Sequence, residues 1–154
     1  IDWLITVPLQ ITEFYLIIAA VAVVSAGVFW RLLIASIVML VFGYLGETGL
    51  MDVMIGYIIG MIAWFYIIYE IFFGETAAAN ASSGNAASQQ AFNTIKWIVT
   101  IGCAIYPIGY AIGYFGSGVD ANSLNIIYNL ADLINKTAFG LAIWAAAKAD
   151  SQSA

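Results

Sequence analysis

Charge is scarce in this sequence: its 154 residues hold four Lys and Arg, nine Asp and Glu, and no His. Basic residues so few and never in a run exclude a nucleic-acid surface, and equally a polybasic patch for anionic headgroups. The single cysteine, Cys103, cannot close an intrachain disulfide and, inside an apolar run, reads as a small packing residue. No metal site is expected. Proline occurs twice, as Pro8 and Pro107, both within apolar stretches. What is abundant is apolar surface, 64% of residues against 8% charged, which places the chain among membrane proteins.

Crossing a bilayer takes roughly 20 apolar residues per helix. Runs of that order recur from Asp2 to Val24, Trp30 to Gly46, Val53 to Phe73, Phe92 to Phe115 and Leu124 to Ala147. They are too long for the ten or so residues of barrel strands, and their period is helical. The expected fold is therefore all-α, a multi-pass transmembrane helical bundle with five spans. The connections are short except 74–91, "GETAAANASSGNAASQQA", which has nothing to bury and reads as a flexible loop. Residues 148–154 read as a polar tail. Arg31, Lys96 and Lys148 fall on one side of five spans, and Glu47, Asp52 and Asp120 on the other, so the basic side is assigned to the cytoplasm. The opening Ile1-Asp2-Trp3 already lies in an apolar run and suggests a fragment without its upstream residues; no signal peptide is visible.

Two apolar runs carry charges that need a reason. Asp132 and Lys136 are spaced i, i+4 and can meet on one face of the last span. Such groups cost at least ~2.5 kcal/mol each on insertion scales, whereas Gly or Ser would hold helices together more cheaply. A function for the pair is preferred over packing. Removal from water disfavours a charged amine, and the neutral form is a nucleophile suited to condensing with an aldehyde. Asp132 and Asp2 are the carboxylates that could balance the resulting positive charge. In the first run, Asp2, Thr6, Gln10 and Glu13 follow at steps of four, four and three, a polar stripe on an apolar helix. Asp2 and Glu13 stand roughly 16 Å apart along the axis, on opposite sides of a mid-depth amine. That arrangement suits a proton path. Glu70, near the end of its run, reads as interfacial.

Taken together, "IDWLITVPLQITEFY", "AIYPIGY" and "IYNLADLINK" resemble the microbial (type 1) rhodopsins, in particular their proteorhodopsin branch. Each motif is weak alone. The ordered set D-W-x-x-T-x-P with a glutamate seven after the threonine, then Y-P and D-x-x-x-K, is specific, and it spans the chain from the family's third helix to its seventh.

The resemblance implies a light-driven outward proton pump, not an enzyme, in a bacterial inner membrane. It implies all-trans retinal on Lys136 as a Schiff base, Asp2 as counterion and proton acceptor, Asp132 as second counterion, Glu13 as cytoplasmic proton donor and Thr6 as the residue tuning Asp2. Trp3, Met39, Gly43, Cys103, Tyr106, Pro107 and Tyr110 match pocket positions, with Tyr106 also a donor to Asp132. Cys103 departs from the pattern, because the family generally has tryptophan there. Gln10 stands where glutamine accompanies blue absorption and leucine green. A homo-oligomer, pentamer or hexamer, is implied as well. Two other classes share these residues: a photosensory rhodopsin without net transport, and a non-photochemical transporter using Lys136 and Asp132 as a coupling pair.

Overall fold

The computed structural model describes residues 2–116 and 120–153, apart from the side chains of Asp2, Ala121 and Ser153. Within these residues the architecture is all-helical. The order is α1 (Asp2–Ala19), α2 (Ala26–Glu47), α3 (Val53–Phe73), α4 (Glu75–Ser82), α5 (Ala86–Trp97), a π-helical turn (Ile98–Gly102), α6 (Cys103–Phe115) and α7 (Ala121–Ser153). The chain divides into two compact units, Ile1–Phe92 and Asn93–Ala154.

Every apolar run expected to span falls largely within these helices. Three helical stretches, Ala26–Glu47, Val53–Ser82 and Ala86–Phe115, are long and apolar enough to cross a membrane by length and composition. The apolar part of α1 is shorter. In α7, Asn125, Asn129, Asp132, Asn135 and Lys136 dilute the hydropathy. Large side chains such as Ile34, Ile62, Phe65, Leu133 and Trp144 are exposed, as expected of a surface solvated by lipid.

In the first unit, α2 packs against α1 and α3. The α2–α3 turn shows local chemistry at work. Gly49 adopts a φ of +73°, open to glycine without penalty, and the Met51 N–H reaches back to the Leu45 carbonyl at 3.0 Å. Asp52 then caps α3, accepting from the Met54 and Ile55 N–H groups at 3.0 and 3.1 Å. A Cβ on Gly56 would lie 2.7 Å from the Phe42 carbonyl oxygen and 3.1 Å from the Gly46 Cα, so two glycines set how closely α2 and α3 approach. From α1, Ile11, Phe14 and Ile18 are buried, with the Phe14 ring 4.7 Å from that of Phe92.

The segment 74–91, a loop by its composition, is largely helical here. Its alanines favour helix, and Thr76 and Asn80 are buried. The chain reverses at Gly84, φ +69°, and Gln89 donates to the Asn80 carbonyl at 3.1 Å across the turn. Glu70, expected at an interface, is buried; its carboxylate accepts the Glu75 N–H and lies 3.6 Å from Arg31. The tail is likewise helical as far as Ser153.

In the second unit, α6 and α7 run antiparallel on a glycine seam. A Cβ on Gly113 would meet Leu124, one on Gly109 would meet Tyr128, and one on Gly102 would meet Asn135. As the α6 position steps back from 113 to 102, its α7 partner advances from 124 to 135. The missing side chains let α7 lie close.

Candidate functional site

Backbone irregularity and the glycine seam converge on one stretch of α6. The π turn Ile98–Gly102 ends immediately before Cys103, and Pro107 removes the N–H that would have bonded the Cys103 carbonyl. A helix disturbed twice within ten residues is set to present side chains out of regular register. Tyr106 lies between the two disturbances.

The Tyr106 hydroxyl donates to Oδ1 of Asp132, and Lys136 Nζ lies 3.2 Å from Oδ2 of the same carboxylate. One carboxylate is thus held on both oxygens, by a neutral donor and by an amine one turn on. The acid side chain is 16% exposed and the lysine 29%, so neither is bathed in water. Tyr128 adds a third layer: its hydroxyl donates to the Tyr106 carbonyl at 3.3 Å, and the two rings are 5.6 Å apart. Gly109 makes this possible, since a Cβ there would come within 2.6 Å of the Tyr128 hydroxyl. Chemically, the arrangement offers an amine that can be alkylated or protonated beside a fixed, oriented negative charge.

Of the residues singled out in the sequence, Lys136, Asp132 and Tyr106 come together directly. Cys103, Pro107 and Tyr110 lie on the same helix as Tyr106 and are each partly exposed. Tyr128, Gly102 and Gly109 were not anticipated. A signal existed for Tyr128, since 128, 132 and 136 follow at steps of four on one face.

The remaining candidates belong to the first unit. The side chain of Asp2 lies outside the described residues, although its backbone begins α1. Trp3, Thr6 and Gln10 are half-buried and Glu13 is exposed. At 100° per residue the stripe of Thr6, Gln10 and Glu13 lies about 105° round α1 from the buried Ile11, Phe14 and Ile18. The stripe therefore lies to one side of the buried face of α1. Pro8 leaves α1 a single helix, and its own carbonyl accepts from Thr12 at 2.9 Å. Met39 and Gly43 are half-buried on α2, and nothing stands within 4 Å of where a Gly43 Cβ would be. Among the described residues, no group of three or more Cys, Asp or Glu side chains could hold a metal ion.

Residues 1–149 match the family of bacteriorhodopsin-like proteins. The chain belongs to that family. It is 52% identical over its whole length to the green-light absorbing proteorhodopsin of Gamma-proteobacterium EBAC31A08, and 52% identical to the blue-light absorbing proteorhodopsin of Gamma-proteobacterium Hot 75m4. In each case it spans 62% of the relative's length. Among solved structures, the blue light-absorbing proteorhodopsin from Med12 shares 68% identity with a TM-score of 0.80, covering 97% of this chain and 65% of that one.

Proposed function

We propose that this chain is the retinal-binding part of a light-driven outward proton pump. The observation that carries the reading is the Asp132 carboxylate, held between the Tyr106 hydroxyl and the Lys136 amine where α6 and α7 lie close. Retinal fits this chemistry: an aldehyde requires a nucleophilic amine, and a cation formed there in low dielectric requires a fixed counter-charge. All-trans retinal, attached at Lys136 Nζ, would supply absorption of visible light and a light-driven change in the field around that nitrogen.

The residues of the chain do the rest. Asp132, oriented by Tyr106, holds positive charge at Lys136 Nζ. Asp2 accepts the proton released from that nitrogen, with Thr6 one turn away to hydrogen-bond its carboxylate. Glu13 returns a proton from the other end of α1, about 16 Å along the axis. The unequal positions of acceptor and donor give the transfer its direction. Outward transport across a bacterial inner membrane follows if the side bearing Arg31, Lys96 and Lys148 is cytoplasmic. Assembly into a pentamer or hexamer belongs to the same proposal.

Colour is assigned through Gln10. The curated green and blue relatives are equally identical to this chain, so overall likeness to them does not decide it. An amide dipole along the polyene alters the gap between ground and excited states, and we assign the chain a blue-absorbing form. Adding all-trans retinal to the apoprotein should give a visible band that Lys136→Ala abolishes and Gln10→Leu moves to longer wavelength. A band that survives in Lys136→Ala would remove the proposed attachment point. No band in the wild-type protein would favour a transporter that uses the Lys136 and Asp132 pair without light.

A further inference from the structure

A groove of about 460 Å³ runs along the outside of the α2–α3 pair, remote in sequence from Lys136 and unused by the proposed pump. Its two walls repeat one pattern. On α2 it is lined by positions 31, 34, 35 and 38, and on α3 by 59, 62, 63 and 66, each the i, i+3, i+4, i+7 set of a single helix face. Ala35 and Ala63, both buried, form the floor, while the exposed Ile34 and Ile62 form the rims. The helices are antiparallel, so Arg31 and Tyr66 mark one end and Val38 and Ile59 the other. The groove is roughly 10 Å long by helical rise.

Its ends differ in chemistry. The end at Val38 and Ile59 is wholly apolar, with Val38 near the middle of α2. The end at Arg31 is charged: the guanidinium lies 3.2 Å from Glu75 and 3.6 Å from the buried Glu70. Glu75 itself is fixed, accepting from the Ser25 N–H at 3.0 Å and the Ser25 hydroxyl at 3.1 Å. Arg31 and Glu75 are nonetheless 45% and 41% exposed at the side chain, so both can be reached from outside. An apolar trough that leads to a charged cluster near the start of α2 and the end of α3 has the layout of a phospholipid, chain inward and headgroup at the interface.

The cluster also discriminates among headgroups. One guanidinium faces two carboxylates, so the formal charge of the cluster is negative by one, and that excess repels an anionic head. A zwitterionic head with a primary ammonium adds no net charge: its phosphate faces Arg31 and its ammonium donates to Glu75. We propose that the α2–α3 groove is a binding site for an aminophospholipid of the phosphatidylethanolamine type, one acyl chain lying over Ala35 and Ala63.

Native mass spectrometry of the full chain in detergent tests this with added phosphatidylethanolamine and phosphatidylglycerol of identical acyl chains. Wild type should bind the first phosphatidylethanolamine roughly tenfold more tightly than the first phosphatidylglycerol. Glu75→Gln, which relieves the repulsion, should bring the two within about twofold. Ala35→Leu, which fills the floor and leaves the charges alone, should weaken both by roughly tenfold. Each variant is checked for wild-type helicity by circular dichroism. Equal affinities in wild type, a preference unchanged in Glu75→Gln, or binding unchanged in Ala35→Leu would each overturn the proposal. A lipid-free dimer disrupted by Ala35→Leu would assign the groove to a second copy instead.

Discussion

At the residue scale the site is a study in how one carboxylate is shared. Asp132 gives one oxygen to a phenol and the other to an amine, so removing the phenol should leave the ion pair but loosen its orientation. Tyr106→Phe deletes a hydrogen bond to a charged acceptor and should cost about 1.5–3 kcal/mol. Tyr128→Phe deletes a longer bond to a backbone carbonyl and should cost about 0.5–1.5 kcal/mol. Heating the retinal-loaded variants while following the visible band orders them: Tyr106→Phe should bleach first, then Tyr128→Phe, then wild type. The same order would not arise if Tyr106 merely filled space. The Asp132 and Lys136 pairing was legible from its spacing of four alone, because an i, i+4 pair meets whatever else the chain does. Tyr128 obeyed the same spacing but had no charge to draw attention to it. The burial of Glu70 was not legible, because nothing local in the sequence announces that Arg31, 39 positions earlier, comes to lie beside it.

At the element scale, close helix approach rests on glycine. Gly109→Ala would drive a methyl against the Tyr128 hydroxyl, and Gly56→Ala would drive one against the backbone of Phe42. Overpacking of this kind typically costs about 1–3 kcal/mol. The second case should be the worse, because a backbone carbonyl cannot rotate away as a side chain can. Thermal unfolding of the two variants, at matched detergent, checks the order. The connection 74–91 makes a contrary point. Its Ala, Ser and Asn composition suggests a tether, yet Ala-rich segments need only a little tertiary support to be helical, and buried Thr76 and Asn80 provide it. Hydrogen exchange should find the amides of Ala78–Ser82 protected well beyond random-coil rates. Exchange at coil rates throughout 75–82 would mean the segment is a loop in solution after all.

For the molecule as a whole, hydropathy and period were enough to place the helical runs, since a bilayer leaves few alternatives to helices for a chain this apolar. The division into two units, the π turn and the glycine seam were not readable, because they depend on which faces meet and not on which residues are apolar. The charged residues were legible as candidates for the opposite reason: in a chain this poor in charge, each intramembrane ion stands out. The account stands on Lys136, Asp132, Asp2 and Glu13 acting as one transport system, and a single measurement addresses that claim. Protein reconstituted into liposomes with all-trans retinal and illuminated should change the external pH, the change should collapse with a protonophore, and Glu13→Gln should slow the recovery of the dark state while keeping the visible band. A normal visible band with no light-driven pH change would contradict the account and mark the protein as a photosensor.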